Sequence, residues 1–155
     1  MKLVRPLFCV AITAVCLAGC SSDDPTEPEV DGITVNDLVG GWTASSVLFT
    51  NITNPAEQFD LVANGGETRV TVLTGGGART WVEFGTFSDE WDAQLSISGN
   101  TLTSSPVEAS RGVRHATFTL VGNTLTLTYA NSSFDFTLLD GPEVAATEVV
   151  VFVRQ

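Results

Sequence analysis

Cysteine is scarce in this sequence, and its three copies all lie within the first twenty residues. The remainder of the chain therefore has no thiol for a disulfide or for a metal site. Histidine occurs once, as His115, and no Gly-x-Ser-x-Gly motif marks an activated serine. These absences give no support for catalysis, so we expect neither an enzyme nor a bound cofactor or metal.

Basic residues are also few, since seven lysines and arginines face 18 aspartates and glutamates and give a net charge of −11. Lys2 and Arg5 precede every acidic residue, so the chain that follows them is more acidic still. Such a charge repels nucleic acids and anionic lipid surfaces. We therefore expect no nucleic-acid partner, and we expect membrane attachment to come from a covalent lipid.

The first nineteen residues have the parts of a secretion signal. Lys2 and Arg5 supply a positive start, and residues 7–17 are uncharged, apolar and too short to span a bilayer permanently. The Leu-Ala-Gly-Cys ending at Cys20 resembles the bacterial lipobox. That resemblance implies cleavage before Cys20, diacylglycerol on its sulfur and a fatty acid such as palmitate on its new amine. The alternative is an ordinary signal in which Cys20 is incidental.

Residues 20–37 are predicted to be the lipidated cysteine and an acidic flexible tether. Residues 21–32 hold five acids and two prolines with almost no apolar side chains, so they cannot form a core. The Ser-Ser-Asp-Asp run after Cys20 resembles acidic export signals for surface lipoproteins; a linker facing the periplasm is the alternative. We expect a lipid-anchored protein of the cell envelope, at the outer membrane. Thr34 or Asn36 is the predicted cap of a short helical turn before the first strand.

Residues 38–155 are predicted to form one all-β domain, because apolar and polar side chains alternate along most of it. The clearest runs on the apolar side are Trp91, Ala93, Leu95 and Ile97, then Leu125, Leu127 and Tyr129, then Phe134, Phe136 and Leu138. Strands are predicted near 41–49, 57–63, 67–74, 78–87, 91–98, 101–105, 112–121, 124–130, 133–139 and 146–154.

The turns between these strands are short and predict a meander. Gly-Asn-Thr-Leu-Thr occurs at residues 99–103 and again at 122–126, and each copy begins with a turn signal. Closing a chain of eight to ten antiparallel strands on itself removes its exposed edges. We therefore predict an antiparallel up-and-down β-barrel, with a β-sandwich as the alternative.

Gly40 and Trp42 form a Gly-x-Trp motif at the start of the first predicted strand. The motif resembles the start of lipocalin-like domains of the calycin superfamily. The resemblance implies that the motif lies at the closed end of the barrel. It also implies that an arginine near the end of the last strand, here Arg154, packs across the tryptophan and contributes about 0.5–2 kcal/mol.

The inner face of such a barrel is expected to hold a small apolar or fatty-acid-like ligand. The candidate cavity residues are Trp91, Arg114, Phe118, Leu120, Leu125, Leu127, Tyr129, Phe134 and Phe136. Arg114 shares the alternation of Phe118 and Leu120, so an inward Arg114 could pair with a ligand carboxylate. The favoured interpretation is that the strand begins after Arg114 and leaves it on a solvated rim. For the whole protein, the alternative is a structural or interaction module with a filled core and an unspecified protein partner.

Two polar features are predicted to face solvent. His115 alternates with Phe118 and therefore points outward. Asp89, Glu90 and Asp92 supply oxygen ligands of the kind that calcium accepts, but a solvated acidic turn is the favoured interpretation in so acidic a chain. We therefore predict no metal site here.

Overall fold

Nine β-strands form in the part of the chain that the computed structural model describes, residues 32–138 and 141–155. They are β1 (Gly40–Asn51), β2 (Gln58–Asp60), β3 (Glu67–Val72), β4 (Gly77–Phe84), β5 (Phe87–Ser98), β6 (Thr101–Pro106), β7 (Arg114–Val121), β8 (Thr124–Phe134) and β9 (Val144–Arg154). Two short 3₁₀ helices accompany them, Val35–Leu38 and Ala109–Arg111. In this part of the chain no helix has the length and apolarity needed to cross a membrane. Cys20 lies outside the described residues.

Strand pairing closes the sheet into a barrel. The hydrogen-bonded order is β1, β3, β4, β5, β6, β7, β8 and β9, and β9 pairs back with β1 from Trp42–Arg154 to Asn51–Ala146. All of these pairings are antiparallel, so the described strands form a closed eight-stranded up-and-down barrel with β2 as an extra strand. The predicted all-β barrel is confirmed, and the sandwich alternative is wrong because β9 joins β1.

The predicted separate strand at 133–139 is wrong, because its first two residues belong to the end of β8. Tyr129 pairs with Glu148, whereas Ser132 pairs with Ala146, so β8 carries one residue more than β9 between these pairs. Such a β-bulge shifts the alternation by one position. The inward side of β8 therefore passes from odd-numbered residues to even-numbered ones within a single strand.

The β4–β5 hairpin turns earlier than predicted. β4 ends at Phe84 and β5 begins at Phe87, so the turn is Gly85-Thr86 rather than the acidic residues that follow. Gly85 has φ of +61°, a conformation that glycine adopts without steric cost. The longer β5 carries Trp91 opposite Thr80 and so brings this tryptophan to the barrel wall.

The 3₁₀ helix Val35–Leu38 covers one end of the barrel. Thr34 is its N-cap, and the Thr34 amide and hydroxyl both donate to the Asp37 carboxylate at 2.7 Å. Leu38 is fully buried beside Trp42, which is 1% exposed. Asp31–Gln155 forms one compact unit, whose strand pairs and buried core are internal to it. This unit therefore has the contacts it needs to fold alone.

Candidate ligand cavity

A cavity of about 510 Å³ lies inside the barrel. Ligand pockets commonly have volumes of roughly 300–1,000 Å³, so the space suits one small molecule. All eight barrel strands contribute to its wall. Its apolar end is lined by Leu38, Trp42, Val72, Leu102, Leu125 and Phe152.

The closed end of the barrel is built around Trp42. Its indole Nε1 donates to the Leu38 carbonyl at 2.7 Å, which holds the helix against the ring. The Arg154 guanidinium carbon lies 4.5 Å from the centre of the same ring. Arg154 also donates to the carbonyls of Val39, at 3.3 Å, and Asp37, at 2.5 Å. Arg154 therefore ties the last strand, the tryptophan and the helix together.

Gly40 lies at the junction between the helix and β1. Its φ is +135°, a backbone conformation that residues with a side chain rarely adopt. This conformation lets the chain enter β1 with Trp42 directed beneath the helix. The three residues predicted to close the barrel, Gly40, Trp42 and Arg154, thus lie at the same end.

The structure separates the nine predicted cavity residues into two groups. Those that line the cavity are Trp91, Arg114, Leu125, Leu127 and Tyr129. Phe118 is buried in the core and Leu120 packs partly buried against it, and neither reaches the cavity. Phe134 and Phe136 do not line it either, because the β8 bulge and the end of the strand move them beyond the barrel wall.

An aromatic cluster stands at the opposite end from Trp42. Phe134 is stacked between Phe49, at 4.3 Å between ring centres, and Phe59, at 5.1 Å. Phe136 and Phe84 meet this stack edge-on, against Phe134 and Phe59 respectively. Only Phe49 of these five lines the cavity. The cluster therefore packs β1, β2, β4 and the end of β8 together beside the cavity mouth.

Arg114 and Glu148 form an ion pair at the mouth. Arg114 Nη2 lies 2.5 Å from Glu148 Oε2, and Ser132 Oγ donates to the same oxygen at 2.9 Å. The Glu148 side chain is 9% exposed, whereas that of Arg114 is 39% exposed. The Arg114 guanidinium also lies 4.0 Å from the centre of the Tyr129 ring. Arg114 therefore points into the barrel near its rim, and its carboxylate partner is supplied by β9.

A second arginine reaches the mouth from the 3₁₀ helix Ala109–Arg111. Arg111 Nη1 and Nη2 donate to the two carboxylate oxygens of Asp89, at 2.7 and 2.8 Å, and Arg111 Nε donates to Glu108 at 3.0 Å. The hydrogen bonds from Arg111 hold the pKa of Asp89 below its ordinary value and raise the pKa of Arg111. The Arg111 guanidinium lies 4.9 Å from the Trp91 ring centre. This arginine is held in place by its bidentate contact with Asp89.

Depth in the cavity is set by strand register. Glu148 pairs with Phe49, six positions along β9 from the pair that Arg154 makes with Trp42. At about 3.3 Å per residue, this places Glu148 roughly 20 Å along β9 from Arg154, which lies at the closed end. The cavity therefore has an apolar floor and a polar mouth.

Tyr129 lies between the apolar floor and the polar mouth of the cavity. Burial raises the pKa of its phenol, the nearby Arg114 guanidinium opposes that rise, and the Glu148 carboxylate adds to it. The net pKa is above the ordinary value of 10.0. Tyr129 therefore presents a neutral hydroxyl throughout the physiological pH range.

Sequence reasoning missed Glu148, Ser132 and Arg111 as mouth residues. Glu148 had a usable signal, because it alternates in phase with the apolar Val150 and Phe152 of the last strand. A charged residue in such a phase predicts an inward carboxylate that needs a partner. Ser132 and Arg111 had no such sequence signal, because a β-bulge directs Ser132 to the mouth and a 3₁₀ helix directs Arg111 there.

The polar features predicted to face solvent take part in ordinary surface contacts. His115 is exposed, as predicted, and its Nδ1 lies 3.0 Å from Thr103 Oγ1. Arg79 pairs with both Glu90, at 3.2 Å, and Asp92, at 2.8 Å, while Asp89 points to Arg111. Within residues 32–138 and 141–155, no group of three or more histidine, cysteine or acidic residues is arranged to hold a metal ion.

No protein-family model matches this chain, and no curated protein matches it in sequence.

Proposed function

We propose that the barrel binds a small amphipathic ligand and carries it, with no chemistry performed on it. The apolar part of the ligand lies toward Trp42, and the polar part lies at the mouth near Arg114. The observation that carries this proposal is the 510 Å³ cavity with apolar walls at depth and hydrogen-bonding groups at one end.

Two physical features support binding over a purely structural role. Side chains that fill a barrel interior make van der Waals contacts at close-packed density. The side chains around an empty cavity lack these contacts on one side, and a bound ligand would restore them. The mouth groups are also held in place before binding, since Arg111 and Arg114 are both fixed by carboxylates. Preorganised polar groups lower the entropy cost of binding.

The proposal places this barrel at a membrane. The lipid predicted on Cys20 would hold the domain near a bilayer through the acidic segment at residues 21–32, and the acidic surface would keep the barrel clear of anionic headgroups. A carrier in that position exchanges apolar molecules with the membrane or with other proteins of the envelope.

A neutral fluorescent probe tests the proposal. N-phenyl-1-naphthylamine, which brightens in apolar surroundings, is titrated into residues 31–155 without detergent. Saturable binding at one site per molecule supports the proposal. Absence of saturable binding would favour the alternative, a structural or interaction module of the envelope.

Two matched variants locate the probe. Thr80 lines the cavity from β4, whereas Thr71 is exposed on the outer face of neighbouring β3. Thr80→Phe fills the cavity and is expected to weaken probe binding by tenfold or more, about 1.4 kcal/mol. Thr71→Phe adds the same ring outside the barrel and should leave affinity unchanged. Equal affinity in both variants would place the probe elsewhere and contradict the proposal.

A further inference from the structure

We infer, on the basis of the proposed function, that the ligand's polar end is an uncharged hydrogen-bonding group rather than a carboxylate. The inference rests on the Arg114–Glu148 pair. An arginine in a barrel cavity attracts carboxylates only while its own charge is unmet, and the charge of Arg114 is met by Glu148.

A ligand carboxylate has two ways to reach Arg114, and both are unfavourable. It can displace Glu148, which then remains almost fully buried with Ser132 as its single described partner. Breaking a buried pair in this way is costly because an uncompensated charge stays behind. It can instead join Glu148 on the same guanidinium, which places two carboxylates beside one cation and makes them repel each other.

Arg111 does not offer a second cationic site. Its three nitrogens already donate to Asp89 and Glu108. At the mouth as a whole, two guanidinium groups stand with three carboxylates, those of Asp89, Glu108 and Glu148. A negatively charged headgroup therefore enters a region whose net charge is already negative.

Neutral polar groups at the mouth can receive a ligand. Within residues 32–138 and 141–155, the side chains of Tyr129, Ser104 and Asn131 line the cavity and make no hydrogen bond to another described residue. They can both donate and accept. A hydroxyl or amide headgroup satisfies them, and an approaching cation would have to compete with Arg114 for Glu148.

The test is competition against N-phenyl-1-naphthylamine with three ligands that share one decyl tail. Decanol is uncharged, decanoate is anionic at neutral pH, and decyltrimethylammonium is cationic. We expect decanol to displace the probe at concentrations about tenfold lower than either charged ligand needs. Decanoate or decyltrimethylammonium displacing the probe as well as decanol would overturn the inference.

A charge variant tests the mechanism directly. Glu148→Gln keeps an acceptor for Ser132 but frees the Arg114 guanidinium, so decanoate affinity is expected to rise about tenfold relative to decanol. Glu143→Gln is the control, because Glu143 accepts from Ser133, is exposed and lies off the cavity wall. It removes the same charge and should leave the preference for decanol unchanged.

The outcomes separate this inference from the proposed function. Failure of the probe itself to bind saturably removes the proposed function and the inference together. Saturable probe binding with no preference among the three headgroups removes the inference alone. An equal gain of decanoate affinity in both glutamine variants would show that overall charge, not the Arg114–Glu148 pair, governs selection, and would also overturn it.

Discussion

Arg154 lies over the ring of Trp42, with 4.5 Å between the guanidinium carbon and the ring centre, and this contact joins the last residue of β9 to the start of β1. The same guanidinium donates to backbone carbonyls on both sides of Leu38, those of Asp37 and Val39. The covered end of the barrel is thus held by a cation–aromatic contact and by hydrogen bonds to the covering helix and to its C-cap, Val39.

The first prediction concerns this closure. Arg154→Gln removes the cation–aromatic contact and its charged donors, so we expect a loss of about 2–4 kcal/mol in the free energy of unfolding. Urea denaturation of residues 31–155 measures it. Arg69→Gln is the control, because Arg69 covers Trp81 at 5.1 Å but its side chain is 58% exposed. Its loss should stay below about 1 kcal/mol, and equal losses would contradict the role of Arg154.

The second prediction concerns the aromatic cluster at the mouth. Phe134→Leu keeps an apolar side chain but loses its stacking on Phe49 and Phe59. Each aromatic pair contributes about 0.5–1.5 kcal/mol beyond buried area, so we expect a loss of about 1–3 kcal/mol in urea denaturation. Phe87→Leu is the control, since Phe87 is 57% exposed, and it should change stability by less than about 0.5 kcal/mol. Equal losses in both variants would show that stacking does not stabilise the mouth.

The third prediction concerns Asp60, which anchors β2 to β1. Ser46 Oγ donates to the Asp60 carboxylate at 2.6 Å, and the amides of Val47, Val62 and Ala63 donate to its other oxygen. Partial burial opposes ionisation of Asp60, but these hydrogen bonds outweigh it and hold its pKa below the ordinary value of 3.8. The ionised carboxylate is therefore stabilised in the folded state.

A depressed folded pKa contributes stability that is complete above pH 3.8 and is lost as the pH falls through the folded pKa. Asp60→Asn should therefore be less stable than the natural protein by about 1–2 kcal/mol at neutral pH, and this difference should shrink below pH 3.8. Urea denaturation at a series of pH values measures it. Glu83→Gln is the control for the change in total charge, because Glu83 forms no ion pair or side-chain hydrogen bond with another described residue. A difference that stays constant into acid would contradict the assignment.

The fourth prediction concerns Cys20, which the lipobox resemblance marks for lipidation. Cys20→Ser should abolish incorporation of labelled palmitate in a bacterial host and move the protein from the membrane fraction to the soluble fraction. Cys16→Ser, within the apolar part of the same signal, should change neither. Palmitate labelling that persists in Cys20→Ser would show that the resemblance is misleading.

The sequence by itself determined the class of the fold, because period-two alternation and short turns are local properties. Alternation along 91–98 and 124–129 predicted strands that the barrel contains, and the repeated Gly-Asn turns predicted the hairpins at residues 99 and 122. The Gly-x-Trp motif likewise directed attention to Trp42 and Arg154, which do meet.

Local alternation failed where strand pairing changes its phase. β1 has a register shift between Ala44 and Ser46, and β8 has one between Tyr129 and Ser132. A bulge is defined by the partner strand, since its extra residue is extra only relative to the residues opposite. The sequence of β8 alone therefore suggested two strands where pairing with β9 makes one.

Only the tertiary structure decided what lies inside the barrel. Arg114 and Glu148 are 34 residues apart in sequence, and their contact depends on the register of three strands and on closure of the sheet. Whether a cavity remains depends on the summed volumes of side chains from every strand, which no single strand reveals. The sequence determined which residues face inward over short runs. Tertiary packing decided which of those residues meet, because the distance between two side chains on different strands depends on every strand pairing around the closed barrel.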